Sequence, residues 1–380
     1  MVLADDVINF GGGQPAAELY PLEALQRAFS RTLLEDGRRI LPYGSIEGLP
    51  ALRSLVAERL ARRGIQTTAD EVIITSVSMQ GLHLVGRVML DHGDAVVTEA
   101  PTFSAALGTW EHQQPVFVSI PVDEHGMRVD DLEDMLRANT ARKPKFVYLL
   151  PTFQNPSGVS MTLARRRRLL ELADEFDLLI LEDDPYGEFW YDAGTEPTPP
   201  LRSLPGGEQR VVYLGTFSKI LAPGLRLAYA VAHPALRRLL IRAKRGLDYQ
   251  TDGVVQQSVV RLVRDGDFDL EDHIARGRAV YRERRDAMLA ALETTFTVET
   301  RWTRPSGGYF LWLDLPASVS GEAASRAAAR LGVEVWPGAM FYPNHDGGQN
   351  SLRLSFADSP PDRIREGIRR LYQAVQSVAE

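Results

Sequence analysis

Between residues 70 and 232, short apolar runs alternate with helix-patterned segments, and that alternation leaves few architectures open to the chain. The runs are Val72–Ser76, Ala95–Thr98, Val116–Ile120, Phe146–Leu150, Leu178–Leu181, Val211–Leu214 and Leu227–Val231. Several are nearly unbroken Val, Ile and Leu, as strands covered on both faces require. Between them, Met79–Leu90 and Leu163–Phe176 repeat apolar residues at helical spacing. The pattern predicts a doubly wound α/β domain with a mostly parallel, seven-stranded sheet flanked by helices. The last two runs are joined by a short loop, which leaves room for one antiparallel strand.

Residues 268–295 read as a long charged helix, suited to bridge to a second unit. After it come Tyr309–Leu313, a helix near Glu322–Leu331, Val333–Trp336, Leu352–Ser355 and a final helix from Pro361, an α+β set. We expect an N-terminal arm over 1–45 that also forms part of the small domain, a large domain over 46–280 that would bind the cofactor site's ligand, and a small C-terminal α+β domain over 281–380. The Pro/Gly-rich stretch Ala193–Gly207 reads as a surface loop.

Composition narrows the function classes. The 43 basic and 50 acidic residues give a net charge of −7, which offers no footprint for nucleic acid or an anionic membrane. With no cysteine, disulfides, zinc–thiolate sites and thiol nucleophiles are excluded. The first residues lack the pattern of a signal peptide, and no apolar run reaches the ~18 residues that span a bilayer. A cytoplasmic location is expected.

Ligands of open α/β sheets bind outside the carboxyl ends of the strands, so chemistry is to be sought at those ends. The first run leads into Ser78 at a helix start, a candidate N-cap beside amides that favour phosphate. The second ends near Phe103, an aromatic plate or core packing. The fourth leads to Gln154-Asn155-Pro156-Ser157-Gly158, where Asn155 serves turn chemistry or donates to a ligand. The fifth ends Glu182-Asp183-Asp184-Pro185-Tyr186. A magnesium site of the nucleotide-hydrolase kind would need a G-x-x-x-x-G-K-S/T loop, which is absent. A metal cluster lacks nearby histidines, and the third reading is one buried carboxylate opposite a protonated ring nitrogen. The sixth run delivers Thr216, Ser218 and Lys219, with Arg226 after it. Among four lysines against thirty-nine arginines, Lys219 alone follows an apolar strand and precedes a Gly/Pro loop. An amine can lose its proton and attack a carbonyl, whereas a guanidinium cannot. Phosphate donors, an aromatic plate, a carboxylate, a phenol and a reactive amine together match pyridoxal 5′-phosphate.

Two other patterns are decoys. Gly11-x-Gly13-x-x-Ala16 fits a loose dinucleotide fingerprint, but Pro15 interrupts it and no adequate strand precedes it. The Arg165–Arg168 run lies on a helix beside Leu169, Leu170 and Leu172 and reads as a solvated face.

The chain resembles the fold-type I pyridoxal-phosphate aminotransferases of class I/II over nearly its whole length. It is most similar to the branch holding 2-aminoadipate and kynurenine aminotransferases and the effector domains of MocR-type regulators. The resemblance rests on Gly12-Gly13-Gln14-Pro15 with Glu18-Leu19-Tyr20-Pro21, on Tyr43-Gly44 with Gly48, and on the Asn155, Asp183 and Lys219 segments already quoted. It continues through Pro223-Gly224-Leu225-Arg226, Pro305-Ser306-Gly307-Gly308, Pro337-Gly338 and Leu352-Arg353-Leu354-Ser355.

By resemblance, Lys219 would form the internal aldimine and shuttle the substrate proton. Asp183 would pair with the ring nitrogen, Tyr186 and Asn155 with the ring oxygen, and Phe103 would stack on the ring. Ser78, Met79 through its amide, Thr216, Ser218 and Arg226 would hold the phosphate, with Tyr43 reaching in from a second subunit of a homodimer. Arg353 would clamp the substrate carboxylate, and Gly13 would let the N-terminal segment close over it. No metal is implied.

Val77-Ser78-Met79 departs from the commoner Gly-Ser/Thr-Gln, and Ser157 stands in for Thr. The implied activity is ping-pong transfer of an amino group from an α-amino acid to a 2-oxo acid. The alternative is another reaction with the same cofactor: β-elimination, cyclisation or oxidation. A regulator would need a DNA-binding domain ahead of the sheet, where about 70 residues stand.

Overall fold

The computed structural model describes residues 7–138, 142–192, 194, 196–296 and 299–379. Seven strands form where the apolar runs lie, and an eighth, short one joins them. They are β1 Val72–Thr75, β2 Ala95–Ala100, β3 Val116–Asp123, β4 Gly126–Met127, β5 Phe146–Leu149, β6 Leu179–Asp183, β7 Val211–Thr216 and β8 Ala228–Val231. The sheet order is β1-β8-β7-β6-β5-β2-β3-β4. From β7 across to β3 neighbouring strands are parallel. Strand β8 runs antiparallel to both β7 and β1, and β4 folds back on β3 as a hairpin.

The buried character of the central strands follows from the two-residue period of a pleated sheet. In β5, Phe146 and Tyr148 pack with Val96, Leu181, Val212 and Trp110 on one face. Val147 and Leu149 pack with Ile120, Leu169, Leu172 and Ile180 on the other. Full burial of such a side chain is worth roughly 1.5–3 kcal/mol, so both faces must be covered by helices. The helix Ser78–Met89 supplies Leu82 and Val85 to the first face. Trp110 fills the space beneath it, donating from Nε1 to the Leu82 carbonyl at 2.9 Å. Gly86 is what lets the ring in, since a Cβ there would lie 2.1 Å from Trp110 Cδ1.

The smaller unit has its own four-stranded antiparallel sheet, in the order Arg301–Trp302, Phe310–Asp314, Ser351–Ser355, Trp336–Pro337. The expected single strand over Val333–Trp336 is divided. Val333–Glu334 pairs in parallel with Ile8–Asn9 of the N-terminal segment, while Trp336–Pro337 forms the sheet edge. Pro337 has no N–H to give a further neighbour, which suits an edge. A 26-residue helix, Leu270–Thr295, starts at the Asp269 cap, whose carboxylate accepts from the amides of Glu271 and Asp272.

Two further sequence expectations fail in the packing. Arg166 is not on a solvated face but fully buried. Its guanidinium donates to the carbonyls of Pro151, Met161 and Pro199 and to the Thr152 hydroxyl, closing off main-chain groups that no ladder satisfies. Its neighbours Arg165 and Arg168 do form surface ion pairs, with Asp123 and Glu133. The stretch Ala193–Gly207 is not wholly a surface loop either. Leu201 and Arg202 are buried, because Glu182 accepts both of their amides at 2.9 Å. Ala193 and Thr195 lie outside the described residues. Among the described residues no helix is long and apolar enough to cross a membrane.

Candidate active site

Strand order dictates where side chains from distant segments can meet. From β5 the chain proceeds to β6 and β7 on one side, while β2 and β3 lie on the other, so a crevice opens at their carboxyl ends. Strand β1 points the same way, and β8 enters from that edge. A cavity of about 440 Å³ occupies the crevice. It is lined by Gly13, Ser78, Met79, Phe103, Asn155, Asp183, Tyr186, Thr216, Ser218, Lys219, Arg226 and Arg353. Tyr43 is the one sequence candidate elsewhere; it is 88% exposed, edge-on to Tyr249 at 5.7 Å.

Lys219 follows β7 at the cavity wall. Its Nζ donates to the Gly13 carbonyl at 2.7 Å and lies 5.9 Å from the ring centres of both Tyr186 and Tyr309. Burial, then the nearby Arg353 charge, brings its pKa down to about 8, with Asp183 opposing. An amine so placed gives up its proton far more readily than a surface lysine.

The three acids ending β6 part company because side chains alternate along a strand. Glu182 turns to the Leu201 and Arg202 amides. Asp184 takes the Arg63 guanidinium at 2.7 Å, the Tyr213 hydroxyl at 3.1 Å and the Gly187 amide at 2.8 Å. Asp183 faces the cavity, buried, with the Tyr148 hydroxyl donating to Oδ2 at 3.2 Å. No cation pairs with it among the described residues, and burial raises its pKa to about 7. A cationic ring N–H is the kind of partner that would hold this carboxylate ionised.

Ser78 is the first residue of its helix rather than the N-cap; extended Val77 precedes it, and no side chain caps the turn. The Ser78 and Met79 amides therefore stand among the unpaired donors of a helix start. Opposite, Thr216 Oγ1 accepts from the Ser218 amide at 3.0 Å. Arg226 ends the turn Pro223–Leu225 in the left-handed region, φ 50°, an unusual conformation for a side-chain-bearing residue. These donors, at a helix N-terminus and two strand ends, can enclose a phosphate.

Arg353 lies in Ser351–Ser355, sandwiched between Phe310 at 4.2 Å and Phe341 at 4.8 Å. It donates to Asn155 Oδ1 at 2.9 Å and to the Gly11 carbonyl. Its Nε is buried without a partner, and burial lowers its pKa to about 10. A desolvated guanidinium with a spare donor is a carboxylate receptor.

Sequence reasoning missed Tyr148, Gln14 and the aromatic wall of Phe310, Trp336 and Phe341. For Tyr148 the signal lay in strand pairing. Tyr148 is registered with Leu181, so Asp183 is its diagonal neighbour on the same face. Two larger clefts, about 860 and 710 Å³, lie elsewhere and contain no lysine.

Comparison with known proteins agrees with this chemistry. Residues 5–371 match the family model for aminotransferase class I and II. The aromatic-amino-acid aminotransferase 1 of Thermococcus litoralis is 41% identical over 379 residues, 99% of this chain and 89% of its own. The alpha-aminoadipate aminotransferase of Thermus thermophilus, solved with N-(5′-phosphopyridoxyl)-L-leucine, superposes with a TM-score of 0.91 at 40% identity, covering 98% of this chain and 93% of that one. The Pyrococcus horikoshii kynurenine aminotransferase gives a TM-score of 0.92 at 40% identity, covering 98% and 92%.

Proposed function

Because this chain belongs to the class I and II aminotransferases, we propose that its cavity serves ping-pong amino transfer with an aromatic or large apolar α-amino acid as donor. Pyridoxal phosphate, the cofactor of the family, supplies an aldehyde that condenses with amines and a ring that draws electrons from the substrate Cα. The chain's own groups hold it and move protons. Lys219 is the amine that would anchor the cofactor and, once free, would carry the proton lost from the substrate Cα. Asp183 would face the ring nitrogen and sustain its charge, Tyr186 and Asn155 would bond the ring oxygen, and Phe103 would cover the ring. Ser78, the Met79 amide, Thr216, Ser218 and Arg226 would hold the phosphate.

Arg353 receives the substrate carboxylate under the Gly11–Gly13 segment. Among the described residues Arg226 and Arg353 are the two arginines lining the cavity, so with one on phosphate and the other on the carboxylate this lining keeps no arginine for an acidic side chain. Such a lining favours an apolar donor over an acidic one.

The reading includes a homodimer, in which Tyr43 reaches the partner's cavity. Leu34, Leu41 and Tyr43, at 86%, 68% and 88% exposed, are the apolar surface that a second copy would cover. It also includes a cytoplasmic location and the division into an arm that forms part of the small domain (1–45), a large domain (46–280) and a small C-terminal domain (281–380).

The observation that carries this reading is Lys219, an amine brought to about 8 and facing both Asp183 and Arg353. The test is turnover of a panel of amino acids with a 2-oxo acid acceptor by the cofactor-loaded protein. One keto acid should appear per acceptor aminated, with phenylalanine and leucine preferred to aspartate, and none in Lys219→Ala. Ammonia release or oxygen uptake in place of transfer would overturn the reaction, and preference for aspartate the donor class.

A further inference from the structure

Asp183 and Asp184 are adjacent buried carboxylates, yet they are given different partners. Asp184 receives a guanidinium, a phenol and an amide, so its charge is neutralised within the protein. Asp183 receives one phenol, Tyr148, and faces the cavity. The groups that act on it are Tyr148 from β5, Asp184 along its own strand and Lys219 from the end of β7, with Tyr186 coupled to it in turn. Glu99, at the end of β2, acts on Tyr148 from the far side.

A phenol held this deeply does not ionise at neutral pH: burial, with Asp183 beside it, drives Tyr148 well above its ordinary value. It therefore donates a hydrogen bond that favours the charged carboxylate without adding a positive charge to compete for it. An arginine in that place would leave a cavity ligand facing a neutral pair. The phenol is also fixed. Its strand is central in the sheet, and the Trp110 ring meets it edge-on at 5.4 Å. Register sets the contact, because Tyr148 opposes Leu181 and leans diagonally onto Asp183.

We propose that Tyr148 is a positioning residue, orienting the Asp183 carboxylate and keeping it ionised so that its full charge is directed at the cationic ring of the cofactor. The inference rests on the reading that Asp183 faces the cofactor ring nitrogen.

The test measures the affinity of cofactor-free protein for pyridoxal phosphate by equilibrium dialysis, at about pH 6.5 and about pH 8.5. Losing the bond lets the Asp183 carboxyl hold its proton to higher pH, by about one pH unit. Tyr148→Phe should therefore bind about tenfold more weakly than wild type at the lower pH, with the gap narrowing at the higher one. Trp110→Phe disturbs the packing of Tyr148 but spares the bond, and should lose stability without that change of pH dependence. Wild-type affinity in Tyr148→Phe, or an equal loss at both pH values, overturns the role. If Tyr148→Phe does not fold, Tyr148→His serves: a donor restored at that position should return affinity at the lower pH, and failure to do so counts against the role. Wild-type protein that does not bind the cofactor at all would instead refute the functional reading on which this rests.

Discussion

Replacing Arg353 by Met should separate activity from stability. A substrate carboxylate on this guanidinium accepts two charge-assisted hydrogen bonds, each worth about 1.5–3 kcal/mol. Their loss, about 3–6 kcal/mol, corresponds to a fall in kcat/KM of roughly 10²–10⁴. Folding of the cofactor-free chain responds differently. Burial takes the guanidinium down from its ordinary value to about 10, which at about 1.4 kcal/mol per pKa unit costs the folded chain on the order of 3 kcal/mol. Against that stand the bonds to Asn155 and Gly11, about 1 kcal/mol each. A methionine retains the aromatic sandwich through its thioether. Stability of Arg353→Met should thus match or slightly exceed wild type in urea unfolding.

The assay that discriminates compares an amino acid with the amine that lacks its carboxylate, in a single half-reaction. The amino acid should react far more slowly with the variant, and the amine equally with both proteins. A variant that lost more than about 2 kcal/mol of stability while keeping kcat/KM within about threefold of wild type would show Arg353 to be a structural residue, and the reasoning would fail.

The pH dependence of stability follows from the buried acids. Asp183, at about 7 when folded against an ordinary 3.8, holds its proton longer in the folded chain, so cofactor-free stability should fall as pH rises between those values. Glu99 at about 8 and Glu182 at about 7 have the same sign, so Asp183→Asn should flatten the decline without abolishing it, as read by urea midpoints across that range. Arg63→Met should cost about 3–5 kcal/mol in the same measurement, since it strands the fully enclosed Asp184 carboxylate.

The parallel layers were legible because strands covered on both faces must be apolar throughout, and helices between them must keep one apolar stripe. The short Gly126–Met127 strand was not, since two residues carry no period. Lys219 and Asp183 could be brought to the cavity from sequence because they stand just past, and at, the ends of strongly apolar strands. Arg166 misled because its neighbours do pair at the surface; its own burial depends on carbonyls contributed by Pro151 and Pro199, which no local pattern reveals. Trp336 and Phe341 were hidden because the small unit's edge reaches the cavity only through tertiary packing.

The roof of the cavity has a consequence for biosynthesis. Gly11 is held by Arg353 across 342 residues of sequence, Gly13 by Lys219 across 206, and Ile8–Asn9 by Val333–Glu334. The Gly11–Gly13 segment therefore waits for residues made two to three hundred positions later before it has its partners. The α/β layers can assemble during elongation, but contacts of such high separation are the slowest to form. Competence for catalysis is then reached only once Arg353 has been made and docked, and a product truncated ahead of it that has already built its large sheet would be an inert one.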